Sequence, residues 1–481
     1  MLAMFSVARV GRISEEYAGA ELGDRRRSER AMSIAESLCQ QPASGFPRAL
    51  GSSAELEAFY RFINCDDFSA GDIVAPHIAA TFARAKAHGT VIAIHDTTTF
   101  EYSTERKGFG YTTHLDKADG FIAHVTLLVS ESEMTPLGVG CVETWTRSGG
   151  KNIKRRSRKT RIKSKDDPAR ESLRWIRNIE AVESATRGES NVIHVTDAEG
   201  DFFELFARLH KMKARFVIRA GHTARSISHA GQEQSIRELA DTMVRAVTHR
   251  EIELSERRHP KRATRSARVK HPDRLARSAR VAIAAAPITL STTSYFSTPT
   301  EPFKVNLVRV WEPHPPQGEP PVEWLLLTTE PVSSAASLKR IVDIYRKRWI
   351  IEEYFKALKS GCSLEKRQVE SYDALCKVLA LFIPIAHRIL LLRSMERAEP
   401  VAKATKLFSR VELEIMAAAP SNKGMPPPST IHQALLHIAR LGGHIRNNGP
   451  PGWQTLAWGY EKLLTLRLGW ELARASKCDQ S

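Results

Sequence analysis

Apolar residues change their spacing along the chain, and each change predicts a different kind of element. In LGDRRRSERAMSIAESL (22–38) they recur at helical intervals behind Arg25, Arg26 and Arg27. SAELEAFYRFINC (53–65) repeats the helical spacing after a Pro/Gly/Ser-rich turn. From 91 the apolar residues close up into VIAIHD (91–96), FIAHVTLLVS (121–130) and LGVGCVETW (137–145), which predict a three-strand meander with an ESEMTP turn. DPARESLRWIRNIEAVESA (167–185) returns to helical spacing, with Pro168 near its start. VIHVTD (192–197) is a strand, DFFELFARLHKM (201–212) a helix and RFVIRA (215–220) a strand.

Residues from about 222 to 320 have another character, arginine-rich and then β-branched, with SARV at 266–269 and again at 278–281, an echo too short for an architectural repeat. SYFSTP and KVNLVRVWE predict an inserted β-rich subdomain, closed by the linker EPHPPQGEPP (312–321). VEWLLLTTE (322–330) resumes the core. It feeds one long helix, SLKRIVDIYRKRWIIEEYFKALKSG (337–361), with Gly361 at its C′ position. From about 371 to 481 the chain reads as helical. The order of three strands, helix, strand, helix, strand, insertion, strand and helix is a mixed α/β pattern of RNase H-like type, interrupted once. The expected division is a helical module at 1–70, a mixed-sheet core at 71–370 with its β-rich insertion, and a helical domain at 371–481.

Charge adds the first hint of a partner. Lys plus Arg number 71 against 54 Asp plus Glu, a net +17, and the pI is near 9.7. That balance points to a polyanion, nucleic acid foremost. Arginines on the open face of the N-terminal helices, Arg26 and Arg61 among them, suit a DNA-binding module, although a solvated surface looks the same. No uninterrupted apolar run reaches about 18 residues and no leader is evident at MLAMFSVARVGRISEEY, so a cytoplasmic protein without a membrane span is expected. The six cysteines form no C-x-x-C pair, which argues against a zinc ribbon or a disulfide framework.

Two apolar strands end in a carboxylate, Asp96 and Asp197. An acid at the end of a buried strand is costly unless it is paired or faces a cleft. Two side by side are tolerated when a divalent cation lies between them. Oxygen-only donors favour Mg²⁺ or Mn²⁺. The plain alternative for each is a strand-end turn or a helix N-cap, and Asp197 in DAEGD is placed to cap the helix after it. On a continuous helix over 337–361, Tyr345, Arg348 and Lys359 fall within about 40° of Glu352. An acid among Arg, Lys and Tyr suits a metal ligand beside a phosphate backbone. The ordinary alternative is an i−4 ion pair of Glu352 with Arg348. Three converging carboxylates would hold two metal ions for in-line displacement at a phosphodiester.

HDTT (95–98), TDAEGD (196–201) and Tyr345-x2-Arg348-x3-Glu352-x6-Lys359 resemble the bacterial insertion-sequence DDE transposases with the Tyr-Arg-Glu-Lys motif, the family of the transposase of the composite kanamycin-resistance transposon. GDRRRSER and YRFIN resemble that family's N-terminal DNA-binding region. ARESLRW resembles its helix before the second Asp, and IARLGGHI and GWQTLAWGYEKLL its C-terminal helices. The resemblance implies an RNase H-like core in which Asp96, Asp197 and Glu352 hold two Mg²⁺ ions, with Mn²⁺ able to substitute. It implies that Tyr345, Arg348, Lys359 and Arg219 contact transposon-end DNA and that Trp324 stacks on a flipped base; core packing is the alternative for Trp324. It further implies cut-and-paste transposition through a hairpin, on terminal repeats and target DNA, by a homodimer paired through its C-terminal helices. His95 is assigned no role. An inactive end-binding copy and another RNase H-like nuclease are the competing readings.

Overall fold

The computed structural model describes residues 13–112, 118–147, 170–186, 190–256, 273–290, 302–445 and 450–478. The basic loop beyond Arg147, Pro168, the arginine run at 257–272 with the first SARV, and SYFSTP lie outside the described residues.

Four helices open the chain: α1 (Arg25–Gln40), α2 (Phe46–Leu50), α3 (Ser53–Ile63) and α4 (Ala70–Lys86). Three of the four starts carry a side-chain cap. Asp24 caps α1 by accepting from the Arg26 amide, Ser52 caps α3 through the Glu55 amide, and Ser69 with Asp72 forms a capping box on α4. Ala31, Ile34, Ala35 and Leu38 turn one face of α1 into the core. Three arginines crowd its first turn, where the helix dipole opposes positive charge. Arg26 stays exposed there, and Arg61 is exposed on α3.

The meander comes next as β1 (Thr90–Glu101), β2 (Gly120–Ser130) and β3 (Pro136–Trp145). Then come α5 (Leu173–Thr186), β4 (Asn191–Thr196), α6 (Phe203–Met212) and β5 (Arg215–Arg219). β1 pairs antiparallel with β2 and parallel with β4, and β4 pairs parallel with β5. The expected insertion supplies β6 (Ser226–His229), β7 (Gln232–Ser235), α7 (Ile236–Thr242), β8 (Thr248–Leu254), β9 (Arg277–Leu290) and β10 (Phe303–Trp311). These strands do not stand apart as a subdomain. β11 (Glu323–Thr328) pairs with β5 on one side and β10 on the other, so one sheet runs β3-β2-β1-β4-β5-β11-β10-β9-β6-β7, with β8 on β9.

The long helix expected at 337–361 is divided. α8 (Ala335–Arg346) and α9 (Trp349–Lys356) are joined through Lys347 and Arg348, whose amides bond three residues back, to Ile344 and Tyr345. A π-helical turn, Ala357–Gly361, comes after α9 and carries Lys359. Beyond it lie α10 (Tyr372–Ala398), α11 (Arg410–Ala418), α12 (Ile431–Leu441) and α13 (Trp453–Cys478). α10 is long and apolar enough to cross a membrane by composition, yet 89% of its best window is buried inside the protein, as a core helix is.

α12 and α13 cross at backbone contact. A Cβ on Gly459 would overlap the Ile438 carbonyl, and one on Gly442 would overlap that of Thr455. Gly459→Ala is therefore expected to cost about 2–3 kcal/mol through forced backbone displacement, read as a lower urea midpoint. An unchanged midpoint would refute so close a crossing.

Buried polar groups tie a 3₁₀ turn, Ile13–Tyr17, to α4 and α10, and α10 to β3. Tyr17 donates to the Leu381 carbonyl at 2.5 Å, Glu16 accepts from Arg84 at 2.8 Å and meets His77 Nδ1 at 2.5 Å, and His387 Nε2 meets the Pro136 carbonyl at 2.9 Å. Burial lowers both histidines, His387 to about 3, while contacts with His77 and Arg84 hold the Glu16 carboxyl well below its usual range against its own burial. The folded His387 ring stays neutral down to about pH 3 while the unfolded chain binds a proton there below about pH 6.5. For His387, stability is thus expected to fall from about pH 6.5 towards 3, by roughly 1.4 kcal/mol per pH unit. Glu16 adds in the same direction below its unfolded value of 4.5, its stabilisation being lost as pH falls towards its folded value. Urea midpoints at pH 7.5 and 5 check this. Equal midpoints would contradict it, and His387→Gln should flatten the slope.

Candidate active site

Strand alternation puts the two aspartates on one face. Ile92 and Ile94 precede Asp96 at intervals of two, and Ile193 and Val195 precede Asp197 in the same way. All four apolar residues join the core cluster that also takes in α8, α9 and α10. Val91 and Ala93 point the other way, with Val182 of α5. Asp96 does not end its strand, contrary to the expectation from the apolar run. β1 continues to Glu101, because Thr97, Thr98, Thr99 and Phe100 are good strand residues with β2 to pair with. What ends at Ile94 is the pairing with β4, so Asp96 lies where two neighbouring strands part. Asp197 stands just after β4 and caps a 3₁₀ turn, Ala198–Gly200, by accepting from the Glu199 amide at 2.9 Å.

Arg348 joins the sheet to the helix. One guanidinium nitrogen is 2.9 Å from Asp96 Oδ2 and another is 2.7 Å from Glu352 Oε1. The expected i,i+4 pair therefore exists, and the same arginine also grips the first aspartate. Burial pushes the Asp96 carboxyl up to about 7; Arg348 pulls it down, while the charges of Asp197 and Glu352 push it further up. Burial works against the Arg348 charge, but Asp96, Tyr345 and Glu352 hold its pKa above the usual value.

The other expected residues gather around this centre to different degrees. Tyr345 is buried, not on an open polar stripe; burial raises its pKa, and Arg219 stands at its hydroxyl. Trp324 is half-buried against it, ring centres 5.6 Å apart. Lys359 lies further along, 3.5 Å from Glu365 and 5.4 Å from the Phe100 ring centre. Arg26 and Arg61 sit on the N-terminal helices, in neither group.

Several residues had no signal in the spacing. His95 is fully buried in a polar chain: its Nε2 meets His194 Nδ1 at 2.9 Å, its Nδ1 meets Thr126 at 2.9 Å, and His194 reaches Glu183 at 2.8 Å. Asp201 accepts from the amides of Gly221 and His222 at 2.7 Å and from Arg225, fixing the loop after β5 to the Asp197 turn. Trp349 leaves half its surface exposed next to Arg348, their groups 5.4 Å apart.

Asp96, Asp197 and Glu352 together would offer three carboxylates and no sulfur or imidazole, a donor set that fits a hard divalent cation. Their mutual repulsion, visible at Asp96, is the kind of cost that such a cation removes. Among the described residues, no three His, Cys, Asp or Glu side chains already stand at ligating spacing, and the Arg348 guanidinium bonds both Asp96 and Glu352.

Two family models match this chain: "Transposase DNA-binding" over residues 12–68 and "Transposase DDE domain" over residues 167–383. Their content and order make it a DNA transposase. Within that class it is a DDE transposase of the insertion-sequence kind, whose catalytic domains use divalent metals. Asp197 and Glu352 fall inside the second match, and Asp96 lies ahead of it.

Proposed function

We propose that this chain is an active cut-and-paste transposase that acts on DNA in the cytoplasm. It nicks the terminal repeats of its element, releases it through a hairpin and joins it to target DNA. Asp96, Asp197 and Glu352 would hold two Mg²⁺ ions, or Mn²⁺ in their place. The ions would activate the attacking oxygen and stabilise the leaving 3′-oxygen. The observation that carries this reading is Arg348 bonded to Asp96 and Glu352 together, with the charge of Asp197 felt at the same place. The strand order β3-β2-β1-β4-β5, with β1, β4 and β5 parallel, supports an RNase H-like core.

Arg348 and Lys359 suit the phosphates on either side of the cut. Tyr345 and Arg219 form a rigid pair beside them, and the indole of Trp324 is a stacking platform for an unpaired base. Arg26 and Arg61 would hold the repeat through its backbone. Two copies would pair through their C-terminal helices, where Trp458, Leu466 and Leu468 are exposed on α13.

The test uses purified full-length protein, DNA carrying the inverted ends that flank its own reading frame, and Mg²⁺. Nicking at the element ends supports the reading. Tight binding without nicking would leave an inactive end-binding copy, and equal cutting of unrelated duplexes would leave a general nuclease.

A further inference from the structure

We propose that Arg174, on the first turn of α5, is a positioning residue that sets the separation and aim of Asp96 and Asp197. This rests on the metal-site reading above and deepens it. A continuous chain of hydrogen bonds runs from Asp96 to Asp197 through Arg174. Asp96 Oδ1 accepts from the Thr97 amide at 2.8 Å, and Thr97 Oγ1 accepts from Arg174 Nε at 3.1 Å. On the other side, Arg174 Nη2 donates to Glu199 Oε2 at 2.9 Å, and the Glu199 amide donates to Asp197 Oδ1 at 2.9 Å. One guanidinium thus holds the two residues whose backbone amides orient the two carboxylates. Its third nitrogen donates to the Glu171 carbonyl at 3.0 Å, which anchors the group to the start of its own helix.

The arginine has little freedom to do anything else. Its side chain is 11% exposed, and it lies 5.5 Å from the ring centre of Trp145 and 5.3 Å from that of Trp175. Thr97 Oγ1 is held from its far side by His124 Nδ1 at 2.9 Å, so that arm is braced at both ends. The Oδ2 atoms of both aspartates take no part in this circuit. Groups that orient metal-binding side chains from behind commonly change affinity or activity 10–100-fold when removed. A merely structural ion pair to Glu199, 64% exposed, would do little.

The experiment compares wild type with Arg174→Met, Arg174→Lys, Glu199→Ala and the Arg174→Met/Glu199→Ala double variant. Each full-length protein is held on its flanking end DNA. Mn²⁺ uptake is read by electron paramagnetic resonance, and end binding by gel shift. Arg174→Met should raise the Mn²⁺ concentration for half-saturation about tenfold or more with end binding kept. Lysine should not restore it, since an ammonium does not reproduce the planar fork. The double variant should be no worse than Arg174→Met alone, because both break one circuit. Wild-type half-saturation in a folded Arg174→Met overturns the proposal. Should that variant not fold, Thr97→Val and Glu199→Ala each cut one arm, and unchanged uptake in both overturns it equally. Wild type that takes up no Mn²⁺ overturns the metal-site reading itself, an outcome distinct from a failure confined to the variants.

Discussion

Asp96→Asn, Asp197→Asn and Glu352→Gln are each expected to reduce nicking of end DNA in Mg²⁺ by about 10³-fold or more, while gel-shift affinity for the same DNA should stay near wild type. The amides keep size and most hydrogen bonding, so the folded site survives, but they remove the charge that a divalent ion needs. Binding survives because the DNA-binding match, residues 12–68, excludes all three positions. Asp96→Asn is the most instructive of the three. Its carboxyl already resists ionisation, held up at about 7 chiefly by burial, so the neutral amide should leave stability near pH 7 unchanged or slightly higher. A variant that is stable, binds ends and still nicks at the wild-type rate would remove that residue from the chemistry.

Arg367→Met is expected to have the second large effect, on the fold. Arg367 is 3% exposed. It donates to the carbonyls of Pro42 and Cys362 at 2.5 and 2.6 Å and to that of Ser44, between the rings of Phe46 and Phe382. Burial brings its pKa down to about 10, still charged at neutral pH. One side chain thus fastens the loop after α1 to the end of the π turn behind Glu352. Methionine fills the space but leaves carbonyls unpaired, at about 1–3 kcal/mol each, so the variant should lose about 3–5 kcal/mol. Urea denaturation and limited proteolysis near residues 41–45 check this. A midpoint within experimental scatter of wild type would mean that water replaces the guanidinium at no cost.

The elements that carry the site were legible where burial imposes a simple period. VIAIHD and VIHVTD read as strands because their apolar residues are continuous, and alternation then puts Asp96 and Asp197 on the face that α8 and α9 cover. The pairing of Arg348 with Glu352 was legible as a four-residue spacing. Its second bond, to Asp96 across 252 positions, was not, since no local pattern encodes it. The division of the long helix at Lys347 was hidden because both flanking segments keep the same apolar stripe and no Pro or Gly marks the change. The β-branched runs of the insertion signal strands, but edge pairing decides whether strands stand alone or extend a sheet, and that is a tertiary fact. Arg174 and Arg367 were silent for the same reason: a buried arginine is identified by the carbonyls and carboxylates that surround it, and these come from distant parts of the chain.

In the proposed site, three acids from β1, the end of β4 and α9 close around divalent cations. The most direct measurement is a crystal structure of the protein on its end DNA with Mn²⁺, located by anomalous scattering. Manganese peaks bound by Asp96, Asp197 and Glu352 are expected, with oxygen distances of about 2.0–2.3 Å and Arg348 turned from the carboxylates towards phosphate. Manganese bound elsewhere, or Glu352 still paired only with Arg348 and more than about a nanometre from any ion near the aspartates, would contradict it.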